Sequence, residues 1–188
     1  MRRRIIILFI IVIVLSILAV IGYFKSPHYR RQVYPLYFKE FIDEHSREYN
    51  VDPYLVAAII WTESKFRPDA RSHKDATGLM QITPETGKWI AKMQAVDGFK
   101  VEDLYDPDLN IHFGCWYLNK LKAEFNGNIE NTLAAYNGGS GNVKKWLADK
   151  RYSEDGKTLY HIPFKETREY LDRVKGAYRE YKALYDLK

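Results

Sequence analysis

The chain has 188 residues, a formal charge of +5 and one cysteine, which leaves room for one ordinary domain plus a short accessory segment. Residues 1–31 hold six of the basic side chains and no acid, so the rest carries 23 basic against 24 acidic residues. A folded unit near neutrality lacks the basic face of a nucleic-acid binder, and a lone Cys115 excludes an internal disulfide and reads as a small buried apolar residue.

The first element is an uncharged run of twenty residues from Ile5 to Phe24, directly after Arg2-Arg3-Arg4. At about 1.5 Å per residue, such a helix spans a hydrocarbon core of about 30 Å. A cleaved signal peptide would have a shorter apolar core and a small-x-small site. Ala19-Val20-Ile21-Gly22-Tyr23 offers no such site, so an uncleaved anchor is expected. Arg2, Arg3 and Arg4 favour a cytoplasmic N-terminus, whereas Lys25, Arg30 and Arg31 on the other flank bring the charge count close to a tie. Residues 25–35, with Pro27 and Pro35, read as a tether.

The signals then turn helical. Leu36, Phe38, Phe41 and Ile42 sit at helical spacing within 36–49. Asp52-Pro53 is an N-cap followed by proline at the first helical position. The helix it opens, YLVAAIIWTES, is apolar around most of its circumference and is expected at the buried centre. Thr83-Pro84 and Asp106-Pro107 repeat the device, giving a short helix over 84–94, a loop over 97–105 and a long helix over 107–125. A helix over Ile129–Tyr136 stops at Gly138-Gly139, and a short one covers 143–148. Residues 149–163 are polar, with a turn or small hairpin at Asp155-Gly156. A final helix over 165–185 aligns Tyr170, Val174, Ala177, Tyr181 and Leu184. The expected fold class is all-α, one domain over 36–188 behind an anchor over 1–24.

Metal and nucleotide chemistry find no support. The five histidines form no metal-binding pair, and Gly138-Gly139-Ser140-Gly141-Asn142 lacks the lysine and preceding strand of a phosphate loop. Glu63 remains. It ends the most apolar helix of the chain, where poor solvation and the negative end of the helix dipole raise a carboxyl's pKa. A carboxyl protonated near neutral pH can donate to the leaving oxygen of a glycosidic bond.

Around Glu63 the residues form an ordered set. Glu63-Ser64-x-Phe66-x-Pro68-x-Ala70-x-Ser72 is followed by Gly78-Leu79-Met80-Gln81-Ile82-x-Pro84-x-Thr86. Then come Asp106-Pro107-x-x-Asn110-Ile111-x-x-Gly114-x-x-Tyr117-Leu118, Ala134-Ala135-Tyr136-Asn137-x-Gly139-x-Gly141-x-Val143-x-x-Trp146, and Ile162-Pro163-x-x-Glu166-Thr167-x-x-Tyr170. Over roughly 45–182 this set resembles the soluble-lytic-transglycosylase catalytic domain of the lytic transglycosylases, a goose-lysozyme-like family. The resemblance implies a lysozyme-like helical fold with a saccharide groove and peptidoglycan glycan strands as the partner. No cofactor or metal is implied, and the chain is expected to act as a monomer. It further implies Glu63 as the catalytic residue, Ser72, Gln81, Tyr136 and Asn137 as substrate-binding residues, and Glu166 as an orienting residue. Many members carry methionine where this chain has Thr83.

The implied reaction cleaves the β-1,4 bond between N-acetylmuramic acid and N-acetylglucosamine. Glu63 acts first as acid and then as base, and a 1,6-anhydro end forms. That function requires the domain on the extracytoplasmic side of the plasma membrane, facing the wall. Two alternatives stay open. A hydrolytic lysozyme needs a second carboxylate, for which Asp69, Asp75 and Glu85 are available; an inactive glycan-binding module would keep the groove without turnover.

Overall fold

The computed structural model describes residues 2–187, which fall into two compact units, Met1–Pro35 and Leu36–Lys188. In the first, α1 (Arg2–Lys25) includes a stretch, Ile6–Lys25, long and apolar enough to cross a membrane. None of that stretch is buried by protein, so its apolar surface calls for another apolar medium. The segment expected as a tether holds a second helix, α2 (Pro27–Val33). Ser26 starts it: the Ser26 Oγ accepts from the Tyr29 amide at 3.2 Å, and Pro27 takes the first helical position. Tyr29 packs on the rings of Tyr23 and Phe24, at 5.5 and 4.8 Å between centroids.

The second unit is helical, and among the described residues the extended pairings are isolated bridges at Arg71, Thr77 and Ile82. Its elements are α3 (Lys39–Glu48), α4 (Pro53–Ser64), α5 (Pro84–Met93), α6 (Pro107–Glu124), α7 (Ile129–Gly138), α8 (Ser140–Leu147) and α9 (Lys165–Leu184). Three of the starts use one device. Asp52 accepts from the Tyr54 amide at 2.8 Å, Thr83 from the Thr86 amide at 3.3 Å, and Asp106 from the Leu109 amide at 2.9 Å, each followed by proline. Each cap pairs an amide that the helix itself leaves unsatisfied.

α4 is the centre of the unit. Leu55, Val56, Ala57, Ala58, Ile59 and Ile60 are all buried, which covers every side of the helix. It packs chiefly against α9, whose inner stripe is Tyr170, Val174, Ala177 and Tyr181, and against α3. Full burial of a side chain such as Ile59 or Ile60 contributes about 1.5–3 kcal/mol. Cys115 is buried in α6 beside Ile111 and Leu118.

Several boundaries differ from the sequence pattern. α3 begins at Lys39 rather than near 36 because Phe38 adopts a left-handed conformation, φ 54°, which the helix cannot continue. Of the stripe expected there, Ile42 is buried and Phe41 only partly. Residues Val101–Tyr105 form a 3-10 turn where a loop was expected, held by the fully buried Leu104. α7 runs to Gly138 and α8 begins at Ser140, so the two meet at Gly139, φ 85°, without an intervening loop. Over 149–163 there is no strand pairing; the Asp155 Oδ1 holds a turn by accepting from the Lys157 and Thr158 amides.

Candidate active site

Glu63 occupies the last turn of α4, one residue before that helix ends. Lys65 and Phe66 then turn left-handed, with φ 55° and 61°. A bulky residue such as Phe66 tolerates that conformation only when its surroundings hold it, and Phe66 is buried against the ring of Tyr181. The Ser64 Oγ donates to the Leu79 carbonyl at 2.8 Å and so fastens the end of α4 to the loop that follows.

That loop, residues 65–83, is built on one side chain. Asn110 of α6 is fully buried; its Oδ1 accepts from the Met80 amide at 2.8 Å, and its Nδ2 donates to the carbonyls of Thr77 and Leu104 at 3.0 and 2.8 Å. Gly78, φ 80°, lies so close that a Cβ there would stand 2.3 Å from the Asn110 amide nitrogen. Gly114 makes the same allowance for Met80, whose sulfur would lie 2.1 Å from a Cβ. These two glycines let the loop settle onto α6 at backbone distance.

The loop carries two of the expected substrate residues. The Ser72 Oγ accepts from the amides of Lys74 and Ala76, at 3.2 and 3.1 Å, so it shapes the loop while its own proton is left to donate. Gln81 is left-handed, φ 49°, and its Nε2 donates to the carbonyls of Ala70 and Gly78. Its amide oxygen is the remaining acceptor. Thr83 caps α5 and donates to the Thr86 Oγ1 at 3.0 Å.

The opposite side comes from α7 and α9. The Tyr136 hydroxyl donates to the Met80 carbonyl at 2.8 Å, which ties α7 to the loop. The Asn137 Oδ1 accepts from the Thr167 hydroxyl at 2.9 Å, which ties α7 to α9. Glu166 lies exposed in the first turn of α9.

Burial dominates the electrostatics of Glu63. Desolvation raises its pKa to about 7; the nearby Tyr170 hydroxyl and the Arg173 charge pull it down, and the negative charge of Glu166 pushes it up again. Tyr136 and Tyr170 are pushed well above the ordinary tyrosine value, first by burial and then by the Glu63 charge. Tyr170 and Arg173 are thus neighbours of Glu63 to which the sequence pattern gave no site role; Tyr170 stood in the C-terminal motif block and in an apolar stripe, and Arg173 in neither. The Tyr170 hydroxyl is buried and forms no hydrogen bond of normal geometry, although it lies near enough to influence the Glu63 carboxyl. It is a donor in reserve for the ionised form.

Glu63, Tyr136, Tyr170 and Glu166 are therefore brought into one electrostatic neighbourhood. Ser72 and Gln81 belong to the loop that Asn110 fastens beside it, and Asn137 follows Tyr136. Asp75 is paired with Arg71 at the surface, 3.0 Å from its Nε. Among the described residues no group of three His, Cys, Asp or Glu side chains is placed to hold a metal ion. Chemically, a partly buried acid that keeps its proton near pH 7, with a phenol beside it, is suited to donating a proton and then taking one back.

Comparison with known proteins adds an independent line. The family model "Transglycosylase SLT domain" matches residues 40–159. The chain is 35% identical to the membrane-bound lytic murein transglycosylase C of Salmonella typhimurium, covering 73% of this chain and 44% of that protein. It is 33% identical to the soluble lytic murein transglycosylase of Escherichia coli, covering 75% of this chain and 22% of that protein. Among solved structures, the 70 kDa soluble lytic transglycosylase of Escherichia coli superposes with a TM-score of 0.75 at 29% identity, over 85% of this chain and 26% of that one. An inactive mutant of the lytic transglycosylase Slt from Pseudomonas aeruginosa gives 0.71 at 31% identity, over 82% and 25%. The chain thus spans less than half the length of the curated relatives it matches.

Proposed function

The chain belongs to the transglycosylase SLT domain family, and from that premise we propose that its helical unit is a peptidoglycan lytic transglycosylase. The observation that carries the reading is the Glu63 carboxyl, which burial holds at a pKa of about 7. In the reaction, protonated Glu63 donates to the oxygen of the β-1,4 bond between N-acetylmuramic acid and N-acetylglucosamine. The carbon–oxygen bond breaks, and the positive charge at the muramic sugar is steadied by its own N-acetyl oxygen, which the Ser72 hydroxyl is free to orient. Ionised Glu63 then accepts the proton of the C6 hydroxyl as that oxygen attacks C1. The 1,6-anhydro ring closes and the carboxyl is again protonated; no water is consumed.

The attachments of the other residues support the roles proposed for them. Gln81 presents its amide oxygen from the loop, Tyr136 and Asn137 bind from α7, and Glu166 orients by its charge. The names of the relatives, lytic murein transglycosylases both soluble and membrane-bound, agree with this activity. Ile6–Lys25 supports a single-pass anchor, which would hold the enzyme at the plasma membrane with the helical unit on the wall side, acting as a monomer.

A hydrolytic reading has one observation in its favour, since the Glu166 charge reaches Glu63 and could belong to a second carboxylate. Digestion of purified wall in water enriched in heavy oxygen separates the two. Anhydro ends without label are expected; label at the new reducing end would overturn the transglycosylase reading. Binding of wall with no soluble fragments would instead favour an inactive glycan-binding module.

A further inference from the structure

Where α4 begins, a cleft of about 430 Å³ opens between α4, α7 and α9. Its walls are aliphatic: Leu55 from α4, Ile129 and Leu133 from α7, and Val174 from α9. Leu55, Leu133 and Val174 are buried, whereas Ile129 is 41% exposed. Such a volume, mostly apolar with a few placed polar groups, is that of a small-molecule site. The cleft is separate from the reacting centre. Glu63 follows Leu55 by eight residues along α4, about 12 Å of helix at about 1.5 Å per residue.

The charged groups of the rim are matched to one another with one exception. The Lys175 ammonium donates to the Glu130 carboxylate and ties α9 to α7. The Tyr178 hydroxyl donates to the Asp52 Oδ2 at 2.7 Å, and the Asp52 Oδ1 accepts from the Tyr54 amide, so both oxygens of that carboxylate are engaged. Among the described residues, Arg179 has neither a hydrogen bond nor an ion pair. What the cleft still lacks is one anion beside an aliphatic surface. That demand selects among ligand classes. A saccharide or an extended peptide would leave hydroxyls or amides without partners against Leu55, Leu133 and Val174. A cationic amphiphile would set its head against Arg179, with Asp52 and Glu130 already engaged.

We propose that this cleft binds a single-chain anionic amphiphile, with its aliphatic chain among Leu55, Ile129, Leu133 and Val174 and its acidic head on the Arg179 guanidinium. The chain supplies affinity by leaving water, and the guanidinium, which can give a carboxylate two parallel N–H donors, fixes the direction of the head. Bound there, the ligand bridges the three helices that carry Glu63, Tyr136 and Tyr170 further along. The assignment does not depend on the glycan-cleaving reading of Glu63, since no residue that lines the cleft serves in it.

The test uses the full chain in nanodiscs of zwitterionic phosphatidylcholine, because a detergent would compete for the cleft, and follows side-chain methyl signals by NMR. The probes are dodecanoate, dodecanol and dodecyltrimethylammonium. Each is kept below the concentration at which it self-associates, at a pH where the carboxylate is ionised, and its uptake by empty nanodiscs is subtracted. Dodecanoate should shift the methyl signals of Ile129, Leu133 and Val174 saturably and leave those of Ile111 and Leu118 in α6 unmoved. Arg179→Gln should weaken dodecanoate binding about tenfold without altering that of dodecanol. Ile129→Glu, a change at an exposed position, should weaken both. Circular dichroism of each variant confirms that the fold is retained. Three results would each overturn the site: no saturable shift at those three residues, equal binding of the ammonium probe, or a dodecanoate affinity indifferent to Arg179→Gln.

Discussion

Glu63 is a carboxyl in poor contact with water whose side chain is nevertheless only partly covered. Its raised pKa has a sign in both activity and stability. The protonated form is the acid, so wall digestion should hold steady through weakly acidic pH and fall as pH rises through about 7. A rate flat to strongly alkaline pH would remove Glu63 from the mechanism. For stability, the folded state holds the proton more tightly than the unfolded chain, whose value is near 4.5. The advantage is complete below that value and is lost as pH climbs to about 7. Glu63→Gln should therefore cut turnover by at least about 100-fold. It should also raise stability at alkaline pH by roughly 2 kcal/mol, the full shift being discounted for partial exposure; thermal melts of the two proteins at matched pH check this. Tyr170→Phe should move the alkaline limb of the rate profile upward, because the lost hydroxyl pulls the Glu63 pKa down. An unchanged profile would make Tyr170 a packing residue only. Glu63 was legible in sequence because a charge at the end of an apolar helix breaks its pattern. Tyr170 closed the C-terminal motif block, but its influence on Glu63 was not legible, since an aromatic residue within an apolar stripe reads as core until its hydroxyl is placed in space.

At the scale of elements, the loop over 65–83 depends on Asn110 more than on its own sequence. Asn110→Ala takes from the Met80 amide and the Leu104 carbonyl the partner that Asn110 gives them, and leaves the Thr77 carbonyl with the Ile82 amide alone, in a dry environment. A loss of about 3 kcal/mol is expected, measurable by urea unfolding. Because Ser72 and Gln81 ride on this loop, wall digestion should weaken in the same variant at temperatures where it remains folded. The helices themselves were readable wherever a cap and proline announced them, as at Asp52-Pro53, Thr83-Pro84 and Asp106-Pro107. Boundaries failed where the deciding feature was not local. Phe38 turns left-handed, and Leu104 is drawn into the core by packing that no nearby residue signals. The same Ser26-Pro27 signature opens α2, and proline there reads equally well as a break or as a start.

For the molecule as a whole, Ile6–Lys25 gives an expectation independent of the site. The full chain should sediment with membranes and resist extraction by high salt or alkaline carbonate, whereas a chain beginning at Leu36 should stay in the supernatant. Extraction by salt alone would mean that the helix does not span. A single buried thiol in the helical unit has a further consequence. The thiol is buried in α6, and burial raises its pKa, so it resists alkylating reagents while the unit is closed. With one such group per molecule, each opening large enough to expose α6 can be trapped as a single added mass. The chain thus carries a built-in clock for its own unfolding, and the same group, once bared in an oxidising medium, can join two opened copies covalently.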